Sequence, residues 1–178
     1  GAVEKKNLLT KNKIKNNNVI LAIPSSGVHS NGYSLIRKII KKNKIQKLNL
    51  KNELLMPTKI YVKEILKLNS NKLINGCANI TGGGLINNII RVIPKKYTLN
   101  IDLNKVRILK IFKILKQHNI KDYEMLKTFN CGVGFCLISN KKNVKKIKKV
   151  FSENYKPYEI GYISKNKMRF NVYGKLNW

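Results

Sequence analysis

VILAIPSSGVHSNGYSL, Val19 to Leu35, decides how the rest of the chain is read. Val19 to Ile23 is an unbroken apolar run of strand length. Ser25 to Ser30 is small and polar, with one glycine and one of only two histidines. From Asn31 to about Lys42 the pattern turns helical, and Leu35, Ile36, Ile39 and Ile40 form one apolar stripe. A strand that breaks into a glycine-bearing loop ahead of a helix makes an anion seat. The first helical N–H groups have no internal partner, and the helix dipole puts partial positive charge there. Gly27 and Gly32 permit a sharp turn and a close approach. Ser30 is placed to cap the helix. The loop, with Ser25, Ser26, Gly27, Ser30, Asn31 and Gly32, is expected to hold a phosphate-like group with His29 beside it. A side chain of pKa ~6.5 suits acid/base work. The plainer reading of His29 is a solvated loop histidine.

The same logic recurs at Thr81-Gly82-Gly83-Gly84, ahead of a short helix over Leu85–Val92 that Pro94 stops. Three glycines expose consecutive N–H groups. The plainer reading is a tight turn. Neither loop carries the GK[ST] of a Walker A or a full GxGxxG fingerprint. A third candidate is Asn130-Cys131-Gly132-Val133-Gly134, an amide and a close backbone, or simply glycine at a strand bend.

Working outward, residues 1–18 read as an arrival segment, a linker from something upstream with little core-forming power. The body is expected over 19–178. Pro57 and Thr58 read as a helix start with Thr58 capping, and Ile60, Val62, Ile65 and Leu66 as its core face. Strands are expected over Lys72–Ile80, Tyr97–Leu103, Phe129–Ser139, Tyr158–Ile163 and Met168–Tyr173. Lys41–Asn52 reads as a loop. Ile108, Ile111, Phe112 and Leu115 fall at helical spacing, Tyr123–Thr128 is a further turn, and Asn143–Phe151 is a lysine-rich helix. The alternation predicts an α/β (α+β) fold, a mixed β-sheet layered with helices.

The chain has 178 residues and a formal charge of +29, from 37 basic against 8 acidic residues. An excess of this size raises nucleic acid as a partner. The basic residues are nearly all lysine, however, spread along the chain between Asn and Ile, as a biased genome would produce. No specific nucleic-acid site is expected, and no apolar run nears the ~20 residues of a membrane span. Cys77, Cys131 and Cys136 form no CxxC pair and read as free thiols, with too few ligands for zinc. The carboxylates Asp102, Asp122 and Glu124 are too scattered for a metal site.

GAVEK, SSGVHSNGYSL, LLMPTKIYVK, ANITGGG and EMLKTFNCGVG occur in that order. Together they resemble the C-terminal half of the phosphoribosylformylglycinamidine cyclo-ligases, or aminoimidazole ribonucleotide synthetases, from Gly1 to about Ile163. The resemblance implies an ATP- and Mg-dependent ring closure in purine synthesis by a cytoplasmic homodimer. Its C-terminal domain packs against an N-terminal domain that carries most of the ATP contacts. Formylglycinamidine ribonucleotide is the implied substrate. By motif, Ser25, Ser26, Gly27, His29, Ser30 and Asn31 would line the cleft, Thr81 to Gly84 would face it, and Asn130, Cys131 and Gly132 would stand third in line. The family has histidine before its TGGG loop, where this chain has Asn79. Asparagine hydrogen-bonds but does not shuttle protons near neutral pH. The alternative is a basic, non-catalytic module for phosphate or RNA, or an inactive homologue.

Overall fold

In the computed structural model, residues 2–43 and 50–178 are described. Val19–Pro24 (β1) is the hinge of the architecture. Its residues alternate between two sheet faces, and both faces are covered, so an uninterrupted apolar run is what the position requires. Ile20 and Ala22 join one core cluster, while Val19, Leu21 and Ile23 join another. β1 pairs antiparallel with Val133–Ser139 (β4) on one side and Tyr158–Ser164 (β5) on the other. Gly76–Asn79 (β2) adds to β4, and Thr98–Asp102 (β3) adds to β5, both antiparallel. Phe170–Tyr173 (β6) closes the far edge parallel to β3. The sheet order is β2-β4-β1-β5-β3-β6.

Seven α-helices lie among the described residues: Tyr33–Asn43 (α1), Lys51–Leu54 (α2), Val62–Ser70 (α3), Gly84–Val92 (α4), Lys110–Lys116 (α5), Asp122–Thr128 (α6) and Val144–Lys148 (α7). Residues from α4 and α6 pack on one face, with Leu85 and Ile89 fully enclosed. Leu68 from α3 and Ile147 from α7 pack on the other. A third cluster joins α1, α5 and α6 through Ile36, Phe112, Met125 and Phe129. None of the described helices is long and apolar enough to cross a membrane. The layered α+β sheet expected from the sequence is therefore the fold.

Several local expectations differ. The helix after the first loop starts at Tyr33, and Ile36 N–H donates to the carbonyl of Gly32, so Gly32 and not Ser30 occupies the start. Of the expected Lys41–Asn52 loop, residues 44–49 lie outside the described residues, and Lys51 begins a helical turn. α3 starts at Val62, four residues beyond Thr58, so Thr58 caps nothing. Of its expected inward face only Ile65 packs against the core: Ile60 is 74% exposed and Leu66 63%, and Val62 is exposed too, while Tyr61 and Leu68 are buried. Only Gly76–Asn79 of the Lys72–Ile80 run is strand, and Phe129–Gly132 is a turn ahead of β4. Ile14, inside the expected linker, is buried in the main core, and Leu9 packs against the cluster on the other face, so part of that segment belongs to the packed body.

Candidate functional site: three loops at one end of the sheet

The carboxyl ends of β1 and β2 and the amino end of β4 lie at one end of the sheet. Antiparallel pairing requires this, because Pro24 faces Val133 and Asn79 faces Phe135. The loops Ser25–Gly32, Thr81–Gly84 and Phe129–Gly132 therefore converge. A Cβ placed on Gly82 would stand 3.9 Å from Asn31 Oδ1, and one placed on Gly32 would overlap the ring of Phe129.

The first loop is held by other segments. Asn130, fully buried, donates from Nδ2 to the carbonyls of Gly27 (2.9 Å) and Val28 (3.3 Å). Its Oδ1 accepts from the Ser25 hydroxyl (3.1 Å) and from Gly132 N–H (2.8 Å). Ser26 Oγ donates to the Pro57 carbonyl and accepts from Lys59 N–H. Ser30 and Thr58 hydroxyls meet at 3.5 Å. His29 sits at φ 58°, 6% exposed, and Ser26 N–H donates to its Nε2 (3.2 Å). Burial holds its pKa below the ordinary histidine value. It is not a solvated loop histidine. Its ring lies beside Tyr61, whose hydroxyl donates to the Pro24 carbonyl, and Gly134 is the residue that leaves both rings room.

The second loop is presented rather than clamped. Gly83 (φ 97°) stands at the cap position ahead of α4, and the N–H groups of Gly82 and Gly83 make no hydrogen bond among the described residues. Thr81 and Gly82 are exposed. Gly84 (φ 71°) is buried, pressed against the Leu126 carbonyl of α6. The loop's carbonyls are gathered by buried Asn88, which donates to Gly84 (2.7 Å) and Thr81 (3.1 Å) and accepts from the Thr81 hydroxyl. Asn88 escaped the sequence reading, although its place four residues after Gly84 puts it under that loop on a helix.

Asn79 is exposed at the end of β2. It lines a groove of about 370 Å³ with Thr58, Tyr61, Val62, Leu66 and Phe135. In the third loop, Cys131 (φ 51°) is buried, and that burial pushes its thiol up to about 12, away from the range of a reactive thiolate. Among the described residues, no three His, Cys, Asp or Glu side chains group to hold a metal ion. The arrangement offers backbone N–H donors, hydroxyls and amides at one open end, which suits recognition of an anion.

Residues 15–172 match the family described as AIR synthase related protein, C-terminal domain. A phosphoribosylformylglycinamidine cyclo-ligase of Fusobacterium nucleatum subsp. nucleatum is 42% identical over 175 residues, 93% of this chain and 52% of that protein. One of Streptococcus agalactiae serotype V is 41% identical over 173 residues, 93% of this chain and 50% of that protein. The chain thus spans about half the length of the curated relatives it matches. Among solved structures, a thiamine-monophosphate kinase from Stenotrophomonas maltophilia K279a superposes with a TM-score of 0.68 at 13% identity, covering 98% of this chain and 56% of that one. T. maritima PurL complexed with FGAR gives 0.64 at 12%, covering 96% and 28%, and at such identities the likeness is one of fold. With the match running through nearly all of the sheet and all three loops, the chain belongs to the AIR synthase related protein family as its C-terminal domain.

Proposed function

We propose that this chain is the substrate-side domain of an ATP-dependent cyclo-ligase that closes formylglycinamidine ribonucleotide to aminoimidazole ribonucleotide in purine biosynthesis. The observation that carries the reading is the convergence of the three loops beside Asn79, in a chain 42% identical to a named cyclo-ligase. In that reaction ATP phosphorylates the formyl oxygen, an amidine nitrogen attacks the same carbon, and phosphate leaves as the ring forms. A ribonucleotide phosphate needs N–H donors, and those of Gly82 and Gly83 have no hydrogen-bond partner among the described residues. Asn31 and Thr81 flank them, and the Asn79 amide faces the groove where the family places histidine. His29, Ser25 and Asn130 act on the ligand indirectly, by fixing the first loop.

The rest of the enzyme is read as lying in the half of its relatives that this chain does not span. By the same family reading, Mg²⁺ and most ATP contacts lie in that N-terminal half; among the described residues no three His, Cys, Asp or Glu side chains group to hold a metal ion, and no step here is routed through the metal. The exposed face of Ile60, Val62 and Leu66 beside Asn79 is where that half would seat, since an apolar surface of this kind marks an interface. Homodimer formation and a cytoplasmic setting follow the same family reading.

The test joins this chain to the missing half as it stands in its relatives and follows ADP release and aminoimidazole ribonucleotide formation, with Asn79→His alongside. Turnover by the joined protein, and none by the 178-residue chain alone, is the expected result. A folded joined protein without turnover overturns the reading. Salt-sensitive RNA binding without turnover would put the basic-module alternative in its place.

A further inference from the structure

The seven residues of α6 touch all three loops. The Leu126 carbonyl fills the space a Gly84 side chain would need. Thr128 and Phe129, at the helix end, pack over Gly32. The Met125 carbonyl accepts from Phe129 N–H (2.9 Å) and from the Cys131 thiol (3.6 Å), which ties the helix to the third loop. A helix this short is marginal by itself, so its position depends on what grips it.

Residues 174–178 supply one grip. Gly174 (φ 78°) turns tightly over Asn104, and Lys175 N–H donates to Asn104 Oδ1 (3.1 Å). Leu176 is buried in the main core. Trp178, the single tryptophan, packs against both the cluster under α4 and the one under α1 and α5. Its indole N–H donates to Asp122 Oδ1 (3.1 Å), the first residue of α6. Lys116 completes the joint: its ammonium pairs with the same carboxylate (2.5 Å), donates to the Ile120 carbonyl (2.6 Å) and stands 5.7 Å from the indole centroid. A carboxylate in the first helical turn also meets the positive end of the helix dipole.

We propose that Trp178, acting through Asp122, is a positioning residue for the loop face: the strap over residues 174–178 fixes α6, and α6 fixes the backbone of both glycine loops and of Phe129–Gly132. Its functional weight rests on the reading of that face as the ligand side; the coupling itself does not.

Native-state hydrogen exchange on the chain tests the coupling directly. The reporters are the hydrogen-bonded amides of Gly84 (to the Thr81 carbonyl), Phe129 (to Met125) and Gly132 (to Asn130). In Trp178→Ala these three should exchange about ten-fold faster while the amides of β1 and β5 keep their rates. Asp122→Ala should reproduce the pattern. Trp178→Phe, which keeps a ring but loses the donor, should fall between, and carries the test if the alanine variant does not fold. Phe151→Ala, on the α7 side of the sheet, is the control for a general loss of stability and should leave the three amides in step with the rest. A uniform acceleration, or one confined to residues 174–178, overturns the proposal. In the joined protein, Trp178→Ala should raise KM for formylglycinamidine ribonucleotide more than it lowers kcat. If the unmutated joined protein shows no turnover, the cyclo-ligase reading fails while the exchange result still decides the strap.

Discussion

The two glycine loops look alike in sequence and are built in opposite ways. Ser25–Gly32 is fastened from outside: Asn130 reaches across from the third loop with three hydrogen bonds, to Ser25, Gly27 and Val28, and Pro57 and Lys59 hold Ser26. Thr81–Gly84 is fastened from beneath by Asn88 of its own helix, and its Gly82 and Gly83 N–H groups have no hydrogen-bond partner among the described residues. The first loop is held by other segments, and the second has backbone donors without a partner among the described residues. A pattern of strand, glycine and helix therefore marks where a ligand can approach, and the hydrogen bonds decide which loop can answer it.

The sharpest break of this contrast lies inside the open loop. Gly84→Ala puts a Cβ into the Leu126 carbonyl oxygen at a φ of 71°. Left-handed strain and a displaced α6 backbone together should cost at least about 3 kcal/mol. The urea midpoint should drop far below wild type, or the variant should fail to accumulate folded. An unchanged midpoint would mean that α6 does not press on α4.

Next in size is the clamp on the first loop. Asn130→Ala strands the Gly27 and Val28 carbonyls, Gly132 N–H and the Ser25 hydroxyl in a buried site. The loss should be about 2–4 kcal/mol. Asn130→Asp keeps the acceptor but removes the two donors and buries a charge, so it should be no better. If both variants melt like wild type, the first loop is held by Ser26 and His29 instead.

His29 sets a smaller, pH-dependent term. Burial lowers its pKa in the folded state, so the unfolded chain takes up a proton more readily. Stability from this residue is fully present above pH ~6.5 and is lost as pH falls through the lower folded-state value. Denaturation followed between pH 7.5 and 5 should show that decline, and His29→Asn, which tolerates the left-handed backbone, should flatten it. An identical slope in the variant would place the decline elsewhere.

Much of the fold was legible because apolar spacing reports burial. β1 through Ile23, and α5 with Ile111, Phe112 and Leu115 inward, lie where the periodicity puts them. The same spacing misread α3, since Ile60, Val62 and Leu66 carry a core pattern and stand exposed. Apolar spacing alone does not say which face of a segment turns to the core. The site was half legible for a related reason. Glycines announce themselves by type, whereas Asn88 and Asn130 look like any of the many asparagines until their neighbours are known. Capping was misplaced at Ser30 and Thr58 because hydroxyls in these loops bond across to one another rather than along the chain.

The smallest structural change asks the most of the comparison. A Cβ on Gly82 meets nothing nearer than Asn31 Oδ1 at 3.9 Å, and its φ does not demand glycine. Gly82→Ala should therefore shift stability by no more than about 1 kcal/mol, toward the stabilising side, because alanine loses less chain entropy on folding. If the open loop receives the phosphate, that methyl group stands in the mouth of the seat. The joined protein should then show a raised KM for its ribonucleotide with an unchanged melting midpoint. The matching change in the framework loop, Gly27→Ala, brings a Cβ to 3.1 Å from the Glu53 carbonyl oxygen, so its effect should appear in the melting midpoint. A Gly82→Ala protein that keeps both stability and KM would remove the distinction between the loops, because neither would then be the one that meets the ligand.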